Sequence, residues 1–228
     1  MRYFNNFKKS KIYVKYSQVK RQLYINLGIY DEKIIQLANT TRMNRHPDLF
    51  TKCCDIKGKY SQINILSFGC STGEECFSLR EYFPYATIIG FDVNRSSLKT
   101  AERNNRDNKI RFVSNIDLIK FERFDLIFVI SVLCREPEGR ILTNISKIFP
   151  FNDFNQILIK LDSLLKLGGC FVIRNSNYRF EDSTIFEDYL CLYSSLTSFP
   201  VFSKNGLKLS LPVQYSEILL KNLKTKGC

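Results

Sequence analysis

Residues 63–79, INILSFGCSTGEECFSL, constrain this chain most, because they place an apolar strand, a glycine turn and a helix in direct succession. The run at 63–68 is short and mostly apolar, as a buried strand is, and a helical pattern follows Gly73. Gly69 and Gly73 let the backbone approach a ligand, and Ser71 is a residue type that caps helices. The first amide groups of the helix point at the same place. The stretch therefore predicts a ligand-binding turn in an α/β domain.

The acidic residues around this turn narrow the class of ligand. A phosphate-binding loop requires a lysine after its last glycine, whereas Gly73 is followed by Glu74 and Glu75, which repel phosphate. The dinucleotide-binding pattern requires a third glycine that this turn lacks. A second apolar strand, TIIGFDVN at residues 87–94, ends in Asp92, where α/β nucleotide sites bind ribose hydroxyls. A nucleoside with a cationic tail and no phosphate fits both acids, so the sequence predicts S-adenosylmethionine as the cofactor.

Four segments carry a resemblance to a known family: GCSTGEE at 69–75, GFDVN at 90–94, FDLIFVISVL at 124–133 and the upstream NTTRMNR at 39–45. In this order they resemble the chemotaxis-receptor glutamate methyltransferases (CheR-type), within the class I S-adenosylmethionine-dependent methyltransferases. GCSTGEE is the most specific segment, and a generic methyltransferase has no counterpart of the upstream one. The resemblance covers residues 39–177 and implies a protein-glutamate O-methyltransferase.

The resemblance also implies roles for individual residues. Glu75 is expected to meet the charged amino-acid end of the cofactor and Asp92 its ribose, while Ser131 and Val132 stand beside the adenosyl group. Arg45 is the candidate catalytic residue, since a guanidinium can position or neutralise an acidic acceptor. The full set of expected cofactor-binding residues is Asn39, Thr41, Arg45, Gly69, Ser71, Gly73, Glu75, Asp92, Asn115, Ser131 and Val132.

Strands and helices alternate through the rest of the chain. Apolar runs predict further strands at 109–113, 124–132 and 170–174, and helices at 75–83, 96–106 and 155–167, the last one ended by Gly168-Gly169. Asn115 follows the third strand, where such folds contact the adenine base. Asn205-Gly206 predicts the turn of a closing hairpin. We expect a Rossmann-like class I methyltransferase fold, with a mostly parallel sheet, a C-terminal antiparallel hairpin and helices on both faces.

Composition bounds the number of domains and the compartment. The 228 residues suffice for one α/β methyltransferase domain, at 39–228, preceded by a basic extension at 1–38 with a helical pattern in its second part. Eight cysteines without a CxxC pair and a single histidine predict neither a disulfide framework nor a zinc site. Because no run is apolar enough for a signal segment or a membrane span, we expect a soluble, cytoplasmic protein without a membrane partner.

The net charge of +12 raises the question of an acidic partner. The clearest basic cluster lies in the first 21 residues, and no acidic residue occurs before Asp31. It predicts either a solvated basic face or a contact with an acidic partner such as nucleic acid.

Three residues have a structural interpretation beside a functional one. His46 follows Arg45, so it is either catalytic or an inert surface histidine. Cys134 follows leucine and not the proline of a cytosine-methyltransferase nucleophile, which favours a small buried thiol. Tyr178 either lines the acceptor pocket or packs in the core.

Four functions fit these observations. The first is a CheR-like methyltransferase acting on an acidic protein side chain, although no segment matches the receptor-docking subdomain of that family. The second is an RNA methyltransferase that uses the basic N-terminal segment. The third is a small-molecule methyltransferase with Phe180, Phe186 and Tyr189 as an apolar lid. The fourth is a non-catalytic module that binds the cofactor without turnover.

Overall fold

The computed structural model of the protein describes residues 15–16, 19, 41–136 and 138–222. Lys15, Tyr16 and Val19 are helical. The other predictions for the extension at 1–38, and the one for Asn39, lie outside the described residues.

A seven-stranded sheet forms the centre of the fold. Its strands are β1 (Asn64–Phe68), β2 (Thr87–Phe91), β3 (Ile110–Val113), β4 (Phe124–Ile130), β5 (Leu165–Arg174), β6 (Tyr189–Thr197) and β7 (Val213–Lys221). They lie in the order β3-β2-β1-β4-β5-β7-β6. The pairs among β1 to β5 are parallel, whereas β7 runs antiparallel to both β5 and β6. The predicted mostly parallel sheet with a C-terminal antiparallel pair is confirmed.

The helices cover both faces of this sheet. They are α1 (Pro47–Lys57), α2 (Glu74–Tyr82), α3 (Arg95–Asn104), α4 (Glu138–Ile141) and α5 (Phe151–Asp162). Pro47 begins α1, as expected from its fixed φ. Apolar residues of α1, α2 and α3 belong to one core cluster and those of α5 to the other.

The central strand β4 contributes to both clusters, which explains its continuous apolar sequence. Leu126 and Phe128 pack with the α1 side, and Ile127 and Val129 pack with the α5 side. Successive side chains of a strand point to opposite faces, so a strand buried on both faces cannot alternate with polar residues.

The boundary between α5 and β5 differs from the prediction. The helix begins at Phe151 and ends at Asp162, and the strand already begins at Leu165. Gly168, with a φ of +71°, therefore does not end the helix but lies within β5. Phe124 pairs with Leu165 and Leu126 with Cys170, so the glycines occupy a bulge where β5 has extra residues relative to β4.

The C-terminal hairpin exists, but its predicted turn is wrong. Strands β6 and β7 are joined by residues 198–212, and β6 itself was not predicted. The Asn205-Gly206 turn lies inside this connection, beside an isolated bridge between Phe202 and Lys208. In the described part of the chain, no helix combines the length and apolarity needed to cross a membrane.

Candidate active site

The glycine turn after β1 has the strained backbone that a close ligand approach requires. The φ angles are +82° at Gly69, +52° at Ser71 and +95° at Gly73. The amides of Gly69 and Cys70 donate to the carbonyl oxygen of Phe91 at 2.7 and 3.0 Å, which joins this turn to the end of β2. A Cβ atom on Gly69 would lie 2.3 Å from Cγ2 of Val132, so this position admits only glycine unless Val132 moves.

Glu75 faces the end of β1 from the first turn of α2. The hydroxyl of the buried Ser67 donates to Oε1 of Glu75 at 2.7 Å. Burial raises the pKa of the Glu75 carboxyl to about 7, and the Ser67 hydrogen bond and the charge of Arg45 oppose the rise. A cation placed beside this carboxylate would stabilise its ionised form.

Asp92 connects the glycine turn after β1 with the turn that follows β2. Its Oδ2 accepts from the amide of Ser71 at 2.7 Å, and its Oδ1 accepts from the amide of Asn94 at 2.8 Å. Asn94 in turn caps α3 by accepting from the amides of Ser96 and Ser97. Burial raises the pKa of the Asp92 carboxyl, while the two amide hydrogen bonds lower it. Asp92 thus fixes the Ser71 turn as well as standing at the predicted ribose position.

The upstream segment, residues 41–46, runs from α2 towards the carboxyl end of β5. The amide of Asn44 donates to Oγ of Ser78 at 2.8 Å, and the Tyr82 hydroxyl donates to Oδ1 of Asn44 at 3.0 Å. Arg45 lies close enough to Glu75 for its charge to lower the pKa of that carboxyl. The charge of Arg45 therefore acts on Glu75, and Thr41 lies partly buried at the start of the same segment.

An ion-pair cluster fixes α1 to the sheet beside this segment. Arg174, the last residue of β5, donates to both carboxylate oxygens of Glu217 at 2.5 and 2.7 Å and to both of Asp48 at 2.9 and 2.6 Å. Nδ1 of His46 lies 3.4 Å from Nη1 of Arg174, and its Nε2 is buried without a hydrogen-bond partner. Burial and the charge of Arg174 lower the pKa of His46 to about 4. The imidazole is therefore neutral at pH 7.

Ser131 and Asn175 form the part of the site that follows β4 and β5. Both have left-handed backbone conformations, with φ of +59° and +55°. Nδ2 of Asn175 donates to Oγ of Ser131 at 2.9 Å, and the amide of Ser131 donates to the carbonyl of Arg174 at 2.8 Å. Val132 lies against Gly69. The predicted residues Ser131 and Val132 therefore sit beside the glycine turn.

Other sequence candidates lie elsewhere. Asn115 is exposed and accepts from the amide of Asp117 as the cap of a short 3-10 helix, so its adenine contact stays a prediction. Tyr178 is fully buried and donates to the carbonyl of Phe149, which contradicts its place in an acceptor pocket. Phe180 and Tyr189 pack in the core, so the predicted apolar lid is wrong. Cys134 is a buried thiol.

Sequence reasoning missed several residues of the site. Ser67, Arg174 and Glu217 lie within strands, and none of them belongs to a recognisable sequence motif. Asn175 stood in a polar run after β5, which marked the place but not its bond to Ser131. Arg174 and Asn175 share one signal, because they are polar residues at the end of a mostly apolar strand, whereas Ser67 and Glu217 lie inside their strands.

A family model described as a methyltransferase domain matches residues 59–204, which include the glycine turn, Asp92, Ser131 and Asn175. The chain belongs to this methyltransferase family. A comparison with curated protein sequences finds no match.

Several solved structures of other methyltransferases are similar to this methyltransferase. The plantazolicin methyltransferase BpumL in complex with SAH has a TM-score of 0.50 and 14% identity, over 77% of this chain and 82% of that one. The ribosomal protein L11 methylase from Lactobacillus delbrueckii subsp. bulgaricus has a TM-score of 0.49 and 13% identity, over 77% and 78%. A second BpumL structure, with a desmethylPZN analog and SAH, is covered over only 44% of its chain. The family model supports the general methyltransferase family and not the narrower CheR-type resemblance.

Proposed function

We propose that this methyltransferase transfers the methyl group of S-adenosylmethionine to a carboxylate oxygen of an acidic acceptor, such as an acidic protein side chain. The observation that supports the proposal is the position of Arg45 in a segment hydrogen-bonded to α2, where its positive charge acts on the Glu75 carboxyl. The CheR-type resemblance of the glycine turn and the upstream segment supports the same acceptor class.

The residues of the glycine turn fit S-adenosylmethionine. Glu75 is a carboxyl whose pKa is raised to about 7 by burial, so a cationic amino-acid end would stabilise its ionised form. Asp92 keeps further acceptor capacity on both oxygens for ribose hydroxyls. The SAH bound in BpumL belongs to the same cofactor class.

The proposed methyl transfer requires little acid-base catalysis from the protein. S-adenosylmethionine supplies an electrophilic methyl group on a sulfur that is already a good leaving group. Arg45 orients the acceptor carboxylate by a charge-assisted contact, and Ser131 and Asn175 shape the adjoining edge. His46, with its pKa near 4, is a weak base at neutral pH, whereas a carboxylate acceptor is already ionised and needs no base.

The test is methyl transfer from radiolabelled S-adenosylmethionine to protein, RNA and metabolite fractions, followed by mild alkali. Carboxyl methyl esters hydrolyse in alkali and release volatile methanol, so we expect alkali-labile label in the protein fraction. Arg45→Gln should lower this transfer at least tenfold at saturating S-adenosylmethionine, as expected for loss of one charged contact, and saturation with cofactor separates this effect from any change in cofactor affinity. Arg42→Gln is the matched control, because Arg42 is exposed on the same segment.

Alkali-stable label would contradict a carboxylate acceptor. Label confined to RNA would favour a nucleic-acid methyltransferase, and label confined to metabolites a small-molecule enzyme. Cofactor binding without transfer to any fraction would favour a non-catalytic module.

A further inference from the structure

The edge of the sheet beside β3 carries a basic surface remote from the glycine turn. We define this β3-edge surface by the exposed side chains of Arg103, Arg106, Lys109, Arg111, Lys120, Phe121 and Arg123. They come from the end of α3, the start of β3 and the loop before β4. Since ligands of open α/β sheets bind at the carboxyl ends of the strands, the amino-terminal placement of this surface separates it from the methyl-transfer site.

A chain of contacts shows that these residues form one surface. The guanidinium of Arg106 donates to the carbonyls of Arg103 and Asn105, at 2.8 and 3.0 Å. The Asn105 side chain donates to the carbonyl of Ile110, which precedes Arg111. Arg111 then donates to Glu122 at 2.8 Å, which brings in the loop with Lys120, Phe121 and Arg123.

The acidic residues of this region are mostly neutralised. Asp107 pairs with Arg80, Glu122 with Arg111, and Asp117 lies 3.5 Å from Lys160. Glu102 is exposed on α3 and makes no ion pair with a described residue. Among the described residues, five cations of the surface have no carboxylate within salt-bridge distance: Arg103, Arg106, Lys109, Lys120 and Arg123. The surface therefore keeps an excess of positive charge.

Phe121 is an exposed aromatic residue on this surface. It is 86% exposed, more than any other large apolar side chain in the described part of the chain. Its exposure leaves the apolar ring in contact with water, although burial of such a side chain is favourable. Nζ of Lys120 lies 5.0 Å from the ring centroid, so the ring lies directly beside a cation.

We propose that the β3-edge surface binds single-stranded nucleic acid. Its free cations complement a phosphate backbone, and the Phe121 ring offers a face on which an unpaired base can stack. A base inside a duplex has no free face for such stacking, so the surface distinguishes single strands from duplexes. This function is independent of methyl transfer, and of the basic N-terminal segment.

The proposal is tested by fluorescence anisotropy with labelled 12-nucleotide RNA and DNA strands of mixed sequence, and with a 12-base-pair duplex. We expect single strands to bind more tightly than the duplex, with affinity falling steeply between about 50 and 200 mM salt. Phe121→Ala should weaken single-strand binding about five- to hundredfold, the range found for loss of one base-stacking contact. The double variant Arg106→Glu, Lys109→Glu should weaken all binding and flatten the salt dependence. The RNA and DNA arms show which of the two strands the surface prefers.

Lys147→Glu is the control for reversal of a charge outside the β3-edge surface. Lys147 is exposed in the loop after Ile145, whose amide donates to the carbonyl of Gly206 in the connection between β6 and β7. Thermal stabilisation by SAH, measured for each variant, shows that the fold and the cofactor site are intact. Loss of methyl transfer in the wild type would leave this experiment unaffected.

Two results would overturn the proposal. Unchanged affinity in the Phe121 and Arg106/Lys109 variants would assign any binding to another part of the chain, such as the N-terminal segment. Equal affinity for single strand, duplex and heparin, with no effect of Phe121→Ala, would reduce the surface to unspecific attraction of polyanions.

Discussion

At the scale of single residues, the proposed cofactor contact of Glu75 and the effect of this residue on stability oppose each other. Burial raises the pKa of its carboxyl from 4.5 to about 7, so the folded protein retains a proton that the unfolded chain releases at lower pH. This group's contribution to stability is therefore present below pH 4.5 and is lost as the pH rises through about 7. A bound cation offsets this loss of stability, because it favours the ionised carboxylate.

Glu75→Gln should therefore have opposite effects on binding and on stability. SAH affinity of the wild type should increase between pH 6 and 8 as Glu75 ionises, whereas the variant should show a flat pH dependence and about 10- to 100-fold weaker binding at pH 8. Without ligand, the variant should unfold at a higher temperature than the wild type at pH 8. Calorimetric titration and thermal unfolding measure the two effects.

Glu81→Gln is the control for this prediction, since Glu81 is exposed on the same helix. It should leave both the affinity and its pH dependence unchanged. A pH dependence of binding that persists in Glu75→Gln would show that another group meets the cationic end of the cofactor.

The sequence could place Glu75 and Asp92 because strand, turn and helix fix their positions along the chain. The sequence could not identify the hydrogen-bond partners of these two carboxylates, because those contacts depend on the fold. Ser67 reaches Glu75 only because α2 folds back over the end of β1, and the Ser71 amide reaches Asp92 only because β1 and β2 are neighbours. The same limit explains why the sequence left Tyr178 open between the acceptor pocket and the core, since a tyrosine after a strand reveals nothing about whether its side chain is buried.

At the scale of secondary structure elements, α1 is held to the sheet by a cluster of unequal ion pairs. Glu217 is 4% exposed and Asp48 is 48% exposed, yet both pair with Arg174. Loss of Arg174 would leave the Glu217 carboxylate buried without its counter-ion. Loss of Asp48 would remove only an exposed partner, whose contribution solvent screens.

Arg174→Met should thus lower the free energy of unfolding by about 3–5 kcal/mol, the range found when one partner of a buried pair is removed. Asp48→Asn should lower it by about 1 kcal/mol or less. Urea denaturation followed by circular dichroism measures both values. The double variant Arg174→Met, Glu217→Met separates the two causes, because it removes the stranded charge and should recover much of the lost stability. Equal losses in the free energy of unfolding for Arg174→Met and Asp48→Asn would contradict the larger contribution assigned to the buried ion pair.

The elements that sequence predicted well have their signal within a few residues, and the others do not. The strand β4 is continuously apolar and was placed to within two residues. In contrast, Gly168 looks like a helix end, but its position is decided by the pairing of β5 with β4, which forces extra residues into a bulge. The edge strand β6 carries exposed Leu190, Leu192 and Leu196, so no alternation of apolar and polar residues marked it.

At the scale of the whole molecule, the two ends of the sheet present different chemistry. The carboxyl ends of β1, β2 and β4 carry the glycine turn, Asp92 and Ser131, with the acidic Glu75 beside them. The amino-terminal ends near β3 carry the β3-edge surface. A phosphate backbone bound at one end would not compete with a cationic cofactor at the other, because the two sites differ in both position and charge.

Because the proposed cofactor site joins residues between 45 and 175 of the chain, ligand binding should stabilise the whole domain. SAH at about one hundred times its dissociation constant should add roughly 2.7 kcal/mol to the free energy of unfolding. For a domain of this size, that corresponds to a rise in Tm of about 5–10 °C. The Glu75→Gln variant should bind SAH at least about tenfold more weakly. At the same SAH concentration, its Tm should therefore rise by about half as much as that of the wild type, or less. Differential scanning fluorimetry measures both shifts, and Glu81→Gln should match the wild type. Equal shifts in Glu75→Gln and the wild type would mean that SAH binds without the Glu75 carboxylate, and no shift in the wild type would remove the cofactor from the glycine turn.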